Sequence, residues 1–260
     1  MKKTALITGA SSGIGREFAK LHASKKGNLV IVARRKEKLL ELKEELESKY
    51  DIDVYVIEKD LAKEEAPQEI YDELKKNKIE IDYLINNAGF GGRGKFYERK
   101  IEQDLAMINL NIIALTKLTR LFLSDFVKKN SGKILNVSST AAKVPGGPLQ
   151  AVYYATKAFV SSFSYGISEE LYDKNITVTA LHPGATKSEF GKTSGMDKTN
   201  LFDKSVSPSK VAKDGYEAML NGKLEITSGL TFSQKILIKL TPMIPKKTML
   251  KQVRIMQEIK

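Results

Sequence analysis

Short runs of β-branched and other apolar residues alternate along the chain with longer segments in which apolar residues recur every three or four positions. This alternation is typical of buried strands that are each followed by an amphipathic helix. Strands arranged in this way pair in parallel and carry helices on both faces of the sheet. The pattern therefore predicts an α/β fold whose parallel sheet carries helices on both faces. The apolar runs lie at 4–8, 29–33, 53–57, 83–86, 133–138 and 177–181.

No linker rich in proline, glycine or serine interrupts this alternation, so residues 1–260 are expected to form a single domain. The helix predicted over Lys36–Lys49 places Leu39, Leu42 and Leu46 on one face. The segment 191–205 breaks the rhythm with many Lys, Thr, Gly and Asp residues, which predicts a mobile loop. Beyond it the pattern predicts a helix near 208–221, a strand near 224–228 and a basic tail.

The composition excludes several kinds of chemistry. The chain contains no cysteine, which excludes disulfides, thiolate catalysis and cysteine metal sites. With only His22 and His182, neither a multi-histidine metal centre nor a serine–histidine hydrolase is expected, and both histidines are interpreted as structural. No apolar run approaches 18 residues, so no membrane-spanning helix is predicted. The N-terminal residues indicate a first strand rather than a signal peptide, so a cytoplasmic location is expected.

The net charge of +12 is unevenly distributed, because residues 235–260 hold seven Lys or Arg and one Glu. No zinc-finger spacing or aromatic RNA-binding signature accompanies this charge, so a solvated basic surface is favoured over nucleic-acid binding. A helix over 246–259 would place Leu250, Val253 and Met256 on one face. We expect this helix to dock onto the domain or onto a sister subunit, and shallow contact with a membrane surface is the alternative.

A glycine-rich turn follows the first predicted strand and precedes a helix. Glycines at such a turn let the backbone approach a pyrophosphate, and the helix N-terminus offers unpaired N–H groups and partial positive charge. The position directly after the first strand favours a dinucleotide site over a turn without a ligand. The turn is Thr8-Gly9-Ala10-Ser11-Ser12-Gly13-Ile14-Gly15.

The end of the second predicted strand bears on the choice of cofactor. An acidic residue there would bind the ribose hydroxyls of NAD and repel a 2′-phosphate. This chain instead has Ala33 followed by Arg34 and Arg35, and guanidinium groups pair well with phosphate. The sequence therefore favours NADP(H), with NAD(H) possible. The alternative is that the arginines merely begin the charged helix that follows.

Three tyrosines are followed four residues later by a lysine, a spacing that can bring a phenol and an ammonium together. In a chain this rich in lysine, chance alone supplies about one such pair, so the surroundings must decide between them. The pairs are Tyr55/Lys59, Tyr71/Lys75 and Tyr153/Lys157.

The surroundings favour the third pair. Tyr55 lies on a predicted strand, where a spacing of four separates the Cα atoms by roughly 13 Å. Tyr71 lies on an ordinary amphipathic helix with no serine in the preceding dozen residues. Tyr153 begins a predicted helix, so Lys157 lies one turn later on the same face. Ser139 precedes this helix at the end of a predicted strand, where parallel sheets bind ligands.

These three side chains have the chemistry of a general acid and its support at a carbonyl group. Lowering a phenol pKa from near 10 to near 7 takes roughly 4 kcal/mol. A cation about 4 Å away supplies about that much at an effective dielectric near 20. We therefore expect Lys157 to lower the pKa of Tyr153, Ser139 to hold the carbonyl oxygen, and a bound nicotinamide to supply the hydride.

Together these features resemble the short-chain dehydrogenase/reductase family in its compact, single-domain branch. The resemblance covers roughly residues 3–190. On the cofactor side, Thr8–Gly15 is similar to the family's TGxxxGxG, Asp60-Leu61 to its adenine-contacting position, and Asn86-Asn87-Ala88-Gly89 to its NNAG segment. Asn111 is similar to the family's helix asparagine, and Ser139, Tyr153 and Lys157 are similar to its catalytic serine, tyrosine and lysine. Pro183-Gly184, with Thr186 and Ser188, is similar to its PG turn beside the nicotinamide.

The resemblance implies a role for each of these positions. Asn111, favoured over Asn109, would hold a water of a proton relay through its backbone and would complete a catalytic set with Ser139, Tyr153 and Lys157. The implied cofactor-binding residues are Gly9, Ser11, Ser12, Gly13, Ile14, Gly15, Arg34, Arg35, Asp60, Leu61, Asn87, Ala88, Gly89, Tyr153, Lys157, Pro183, Gly184, Thr186 and Ser188.

Two departures from the family pattern stand beside these matches. Ser139 and Tyr153 are 14 residues apart instead of the more usual 13, and Ser188 stands where a threonine is usual. The resemblance also implies a Rossmann-type, doubly wound parallel sheet and a homodimer or homotetramer. It further implies a substrate pocket shaped by a loop at 190–206 and by residues 207–260. Apolar residues expected near the cleft are Phe90, Val144, Leu149, Tyr154, Phe190, Met196, Leu201 and Phe202.

The expected activity is an NADP(H)-dependent interconversion of a ketone or aldehyde and an alcohol. The family acts on sugars, steroids, acyl thioesters and small carbonyls, so the resemblance does not imply a substrate. One alternative is a 3-oxoacyl-thioester reductase, whose acidic carrier a basic surface would steer. A second alternative is a module that binds NADPH without turnover.

Overall fold

The protein is described by a computed structural model that covers residues 2–197, 199 and 205–258. Within these residues seven parallel strands form one sheet in the order β3-β2-β1-β4-β5-β6-β7. The predicted Rossmann-type sheet with helices on both faces is confirmed, and each strand lies within two residues of its predicted position. The strands are β1 (Thr4–Thr8), β2 (Asn28–Ala33), β3 (Val54–Glu58), β4 (Tyr83–Asn86), β5 (Gly132–Val137), β6 (Ile176–Pro183) and β7 (Glu225–Ser228).

Helices connect these strands and continue beyond the last one. In chain order they are α1 (Gly13–Ser24), α2 (Lys36–Lys49), α3 (Ala66–Lys76), α4 (Ile101–Ile108), α5 (Leu115–Lys129), α6 (Ala151–Glu170), α7 (Glu189–Ser194), α8 (Pro208–Leu220), α9 (Phe232–Leu240) and α10 (Lys246–Gln257).

Strand side chains alternate between two apolar layers, because successive residues of a strand point to opposite faces. In β1, Ile7 belongs to the layer that α1, α2 and α8 cover, whereas its neighbour Leu6 belongs to the layer under α3 and α5. Phe18 of α1 and Phe122 of α5 pack into these two layers. Burial on both faces explains why the strands are continuously apolar.

The order of the strands reverses beside β1. From β1 the chain builds outward through β2 and β3, and then returns to place β4 on the other side. Loops at the carboxyl ends of the two neighbouring strands therefore diverge and leave a crevice, which is where doubly wound sheets bind their ligands.

The helix that follows β4 in the chain is continuous from Ile101 to Lys129. It comprises α4, a π-helical segment at Asn109–Ala114, and α5. Among the described residues this is the one helix long and apolar enough to cross a membrane, although the apolar runs had predicted none. Its buried residues Leu118, Phe122 and Phe126 pack against the sheet, so it serves as a core helix of the fold.

The segment predicted as a mobile loop begins instead with a helix. Ser188 is the N-cap of α7, and the helix ends at Gly195, whose φ of +70° is left-handed. A serine before Glu189 and a glycine six residues later form a helix start and stop signal, which the polar composition obscured. Leu201 and Phe202 lie outside the described residues.

The predicted C-terminal helix is present as α10, but a different face is buried. Met249, Val253 and Gln257 point inward, whereas Leu250 is half-buried and Met256 is exposed. The prediction assumed that only apolar residues face the domain. Gln257 is fully buried because its amide finds hydrogen-bond partners there, which the spacing of apolar residues cannot indicate.

Candidate active site

A cavity of about 610 Å³ lies at the carboxyl ends of the strands, in the crevice beside β1. The turn after β1 and the end of β2 form one part of its lining and the start of α6 forms another, while α7 reaches the end of β2 through Glu189. Its size and mixed polar and apolar lining are typical of a cofactor or small-molecule site. All of the predicted cofactor-binding residues except Gly15 line it. Of the predicted catalytic residues, Asn111 does not.

The glycine turn is shaped to bring the backbone close to a ligand. Gly9 and Gly13 have φ values of +69° and +55°, in the left-handed region where a side chain would be strained. Ser12, the N-cap of α1, makes no side-chain cap hydrogen bond, so no capping side chain satisfies the first N–H groups of the helix. Such N–H groups suit an anion, and the turn therefore fits a pyrophosphate.

Gly15, which was predicted to bind the cofactor, does not line the cavity and is closely packed against the turn. A Cβ atom there would lie 2.3 Å from the carbonyl oxygen of Gly9 and 2.4 Å from Asn87 Nδ2. The absence of a side chain lets α1 pack closely against the turn, which holds the other two glycines in place. A glycine that permits close packing cannot be distinguished by sequence from one that permits ligand approach.

Asn87 and Thr8 fasten the turn to β4. The Asn87 side chain donates to the carbonyl oxygen of Thr8 at 2.8 Å, and the Thr8 hydroxyl accepts from the backbone N–H groups of Asn87 and Ala88 at 3.0 Å each. These bonds bridge the crevice between the two strands. Ala88 and Gly89 are thereby held along the cavity wall.

The two arginines at the end of β2 differ in their surroundings. Both line the cavity. Arg35 forms a two-pronged ion pair with Glu189 at 2.7 and 3.2 Å and also donates to Ser11 Oγ. Arg34 is exposed and has no ion pair with any described residue. Arg34 is therefore the more available of the two for an anionic group.

Two further predicted segments line the middle of the cavity. Asp60 and Leu61 follow β3, and the Asp60 carboxylate accepts from the backbone N–H of Ala62 at 3.1 Å. The end of β6 and the turn that follows it also line the cavity, through Pro183, Gly184, Thr186 and Ser188. The Thr186 hydroxyl donates to the Gly184 carbonyl oxygen at 2.9 Å, which keeps this turn compact.

Tyr153 and Lys157 lie together at the other end of the cavity, on the first turns of α6. Both are buried, and the ammonium of Lys157 lies 6.0 Å from the centre of the Tyr153 ring. Lys157 donates to the carbonyl oxygen of Val137 at the end of β5, at 2.9 Å. Ser139 follows the same strand and lines the same cavity, and its hydroxyl lowers the pKa of Tyr153. The predicted serine, tyrosine and lysine thus converge.

Burial dominates the electrostatics of this pair. It raises the pKa of Tyr153 to about 12, against a smaller lowering from the Ser139 hydroxyl. It also lowers the pKa of Lys157 to about 8. The direction is opposite to the one expected from the charge of Lys157 alone, because the cost of burying the phenolate outweighs the other contributions. At neutral pH Tyr153 is a phenol with a proton to donate.

Asn111 lies behind the cavity wall, within the π-helical segment. Its side-chain oxygen accepts from the backbone N–H of Phe90 at 3.1 Å, and its amide donates to the Phe90 carbonyl oxygen and to Thr156 Oγ1. A Cβ atom on Gly89 would lie 2.9 Å from Asn111 Oδ1 and 3.4 Å from Lys157 Nζ. Asn111 is thus a positioning residue that joins the segment after β4 to α6.

The substrate end of the cavity is mostly apolar, as expected, with Phe90, Tyr154, Phe190 and Met196 on its wall. The rings of Tyr153 and Phe190 lie 5.6 Å apart. Val144 and Leu149 do not line the cavity, although both were predicted near it. They belong to the loop before α6, whose path depends on Leu149 adopting a left-handed φ of +67°.

Two glutamines at this end were missed by the sequence analysis. Gln150 lines the cavity and donates to Gln257 Oε1 at 2.7 Å, and Gln257 in turn donates to the Tyr154 hydroxyl at 2.7 Å. Arg93 holds the Gln257 carbonyl oxygen at 2.7 Å. The C-terminal helix therefore fixes one wall of the substrate end. No motif marks such a contact, because its partners are 107 residues apart.

Both histidines have the structural surroundings expected of them. His22 is buried and hydrogen-bonds with the Tyr216 hydroxyl and the Lys3 carbonyl oxygen. His182 is buried against Ser161, and burial lowers its pKa to about 4. Neither residue lines the cavity.

This arrangement defines an oxidoreductase of the Rossmann type, with a phosphate-binding turn at one end of a cleft and a tyrosine–lysine pair at the other. The model of the short chain dehydrogenase family matches residues 3–199. The chain belongs to the short-chain dehydrogenase family, as its motifs indicated.

Individual relatives agree with this assignment. The chain is 36% identical over 192 residues to an NADP-dependent 3-hydroxy acid dehydrogenase of Schizosaccharomyces pombe, covering 72% of this chain and 73% of the relative. It is 31% identical over 229 residues to a very-long-chain 3-oxoacyl-CoA reductase of Anas platyrhynchos, covering 85% and 71%. A short-chain dehydrogenase from Sphingobium yanoikuyae, solved in complex with NADPH, matches with a TM-score of 0.82, 29% identity and coverage of 94% and 96%.

Proposed function

We propose that this protein interconverts a ketone or aldehyde and an alcohol with NADP(H) as the hydride carrier. The observation that carries the proposal is the meeting of Tyr153, Lys157 and Ser139 at one end of a cavity whose other end is the glycine turn. When bound, the reduced nicotinamide supplies a hydride. The residues of this chain supply the proton, the hydrogen bonds and the positive charge.

Each residue of the set has a distinct part in this proposal. The Tyr153 hydroxyl donates its proton to the carbonyl oxygen as charge develops there, and Ser139 holds the same oxygen by a hydrogen bond. Lys157 supplies positive charge that stabilises the phenolate left behind. Asn111 holds the segment around Gly89 in place beside α6. The apolar wall at Phe90 and Phe190 excludes water, which strengthens these interactions.

Consumption of NADPH with a panel of carbonyl compounds, followed at about 340 nm, tests the proposal. Tyr153→Phe removes the proton donor and should lower kcat/KM at least about 1,000-fold on the best substrate. Tyr71→Phe is the matched control, because Tyr71 has the same spacing to a lysine outside the cavity, and it should stay within about twofold. If Tyr153→Phe binds NADPH but the parent chain turns over no member of the panel, a non-catalytic module is favoured instead.

The cofactor preference rests on the end of β2. Ala33 leaves no carboxylate for ribose hydroxyls, and the exposed Arg34 is available for a 2′-phosphate. The S. pombe relative is named as NADP-dependent, and the Sphingobium structure holds NADPH. The double substitution Ala33→Asp with Arg34→Ser should shift the ratio of kcat/KM for NADPH over NADH toward NADH by about 10- to 100-fold. An unchanged ratio would contradict the assignment.

A 3-oxoacyl thioester is a second candidate substrate, favoured by the likeness to the very-long-chain 3-oxoacyl-CoA reductase. Among the described residues, Lys157 is the one cation that lines the substrate end, so a neutral thioester suits the wall better than a free carboxylate. Comparing kcat/KM for a 3-oxoacyl-CoA and for the free 3-oxo acid of equal length decides between them. A preference for the free acid would favour the chemistry named for the S. pombe relative.

A homodimer or homotetramer in the cytoplasm remains our proposal for the state of the protein. It follows from the family to which the chain belongs and from the expectations set out above. Sedimentation of the purified chain would measure the number of subunits.

A further inference from the structure

The helix α9 differs from the other helices in how little of it the domain covers. No described side chain of α9 is buried, and Phe232 is 81% exposed. Ile236, Leu237 and Leu240 are between 43 and 53% exposed, and Met243 in the turn that follows is 81% exposed. We call these five residues, Phe232, Ile236, Leu237, Leu240 and Met243, the α9 surface.

The four helical residues of the α9 surface form one face. Phe232, Ile236 and Leu240 are spaced four apart, so they follow one side of the helix, and Leu237 lies beside them. Ile238, on the opposite side, is half-buried toward the domain. The apolar face thus points away from the protein. Its contact with water is unfavourable in free energy unless another surface covers it.

The helix is specified locally rather than by packing. Thr231 Oγ1 accepts from the Gln234 backbone N–H at 3.3 Å, and the Gln234 side-chain oxygen accepts from the Thr231 N–H at 2.9 Å. This reciprocal capping box supports a nine-residue helix that would be marginal alone. The chain therefore presents a preformed apolar face.

The chain segment that contains α9, between Glu225 and Glu258, carries charge of one sign. Residues 226–257 contain six Lys or Arg and no Asp or Glu. Lys235, Lys246, Lys247 and Lys251 are exposed, and none of them pairs with an acidic residue among those described. An apolar face in a segment with several free cations complements a surface that is apolar within and negative at its edge.

A second exposed apolar patch lacks this bias. Phe96, Tyr97, Ile101 and Leu105 are exposed at the start of α4, but Glu98 and Glu102 are interspersed with the nearby basic residues. Elsewhere in the molecule, apolar side chains are therefore exposed without an excess of positive charge. The combination of the two distinguishes the α9 surface.

We propose that the α9 surface docks the protein onto an anionic lipid bilayer. The helix lies in the plane of the interface, with its apolar side chains among the acyl chains and the lysines against the headgroups. α9 follows β7 through Gly229 and Leu230, whose atoms lie about 3 Å from a Cβ position on Gly184, a residue that lines the cavity. Docking therefore brings the cavity edge near the bilayer.

Flotation of the full chain with vesicles tests the proposal without reference to activity. Vesicles of phosphatidylcholine with about 30% phosphatidylserine should bind the chain at least about tenfold more tightly than phosphatidylcholine alone. Raising the salt from about 0.05 to about 0.5 M should weaken that binding by at least about tenfold. Failure to bind the anionic vesicles, or equal binding to both kinds, overturns the proposal.

Substitution tests whether α9 makes the contact. Phe232→Ser with Leu237→Ser should lower binding to the anionic vesicles at least about tenfold, with an unchanged near-ultraviolet circular dichroism spectrum as evidence of folding. Phe96→Ser with Tyr97→Ser is the matched control and should stay within about twofold. Equal loss in both variants overturns the proposal. A lipid-free dimer that dissociates only in the α9 variant also overturns it, because a second copy then covers the surface.

Discussion

Two helices of this protein each carry a tyrosine followed four residues later by a lysine, and only one pair lies in the cavity. On α3 the Lys75 ammonium is 5.2 Å from the centre of the Tyr71 ring, which is closer than the 6.0 Å between Lys157 and Tyr153 on α6. Proximity therefore does not distinguish the two pairs. The motif by itself describes helix geometry, and helix geometry is common.

The difference lies in what surrounds each pair. Asp125 accepts from the Tyr71 hydroxyl and pairs with Lys75 at 2.8 Å, which raises the pKa of Lys75. Lys157 instead meets a neutral carbonyl oxygen in a buried cleft, and burial lowers its pKa to about 8. In the surface pair, the Asp125 carboxylate neutralises the charge of Lys75. The buried pair retains a charge that can act on a neighbouring group.

Removing each lysine should give the largest contrast. Lys157→Met deletes a charge that lies 6.0 Å from the centre of the Tyr153 ring. At about that distance and an effective dielectric near 20, its attraction to a phenolate is worth roughly 3 kcal/mol. We expect kcat/KM for carbonyl reduction to fall roughly 100-fold, with weaker NADPH binding. Lys75→Met should change kcat/KM less than about twofold. Steady-state kinetics of both variants measure the contrast, and equal losses would contradict it.

The pH dependence of reduction should sharpen the comparison. The pKa of Lys157 is lowered to about 8, so its charge is present below that pH and lost as the pH rises through it. We therefore expect kcat/KM to be level below pH 8 and to fall by up to about tenfold per pH unit above it. Tyr153, with a pKa raised to about 12, remains protonated throughout this range.

Initial rates of NADPH oxidation between about pH 6 and 10 measure this profile. Lys157→Arg keeps the positive charge, so any activity it retains should lose the decline above pH 8. A level profile in the parent chain, or an identical decline in the arginine variant, would show that another group is responsible.

The smallest expected effect concerns the surface pair. Asp125→Asn removes the carboxylate that binds Tyr71 and Lys75, and the Lys75 side chain is 52% exposed. Solvent screens such a pair, so the free energy of unfolding should fall by no more than about 1 kcal/mol. Urea denaturation measures this change, and kcat/KM should stay within about twofold. A loss of activity would mean that α3 contributes to the cleft.

Much of the fold was predictable because strand burial is recorded in continuous apolar runs. The predicted strand at 4–8 and the predicted helix Lys36–Lys49 have the bounds observed, and Leu39, Leu42 and Leu46 are buried as expected. The segment 191–205 was harder, because α7 is a short helix of polar composition. Its start and stop residues, Ser188 and Gly195, were the available signal.

The cleft was predictable in part, for a related reason. Positions such as Gly9, Gly13 and Ser139 follow strand ends, and the ends of parallel strands meet at one edge of the sheet. The contact of Gln257 with Gln150 and Tyr154 follows no such rule, because α10 lies more than 100 residues later in the chain. Which face of α10 is buried depends on those amide partners.

The sequence by itself determined the sheet, the turn after β1 and the choice of Tyr153 and Lys157 over two pairs of equal spacing. These follow from local periodicity and from the direction of parallel strands, both of which are properties of short segments. Only the tertiary structure decided the pKa values of Tyr153 and Lys157 and the uncovered face of α9. Burial depends on what the rest of the chain packs around a residue, and no short segment contains that information.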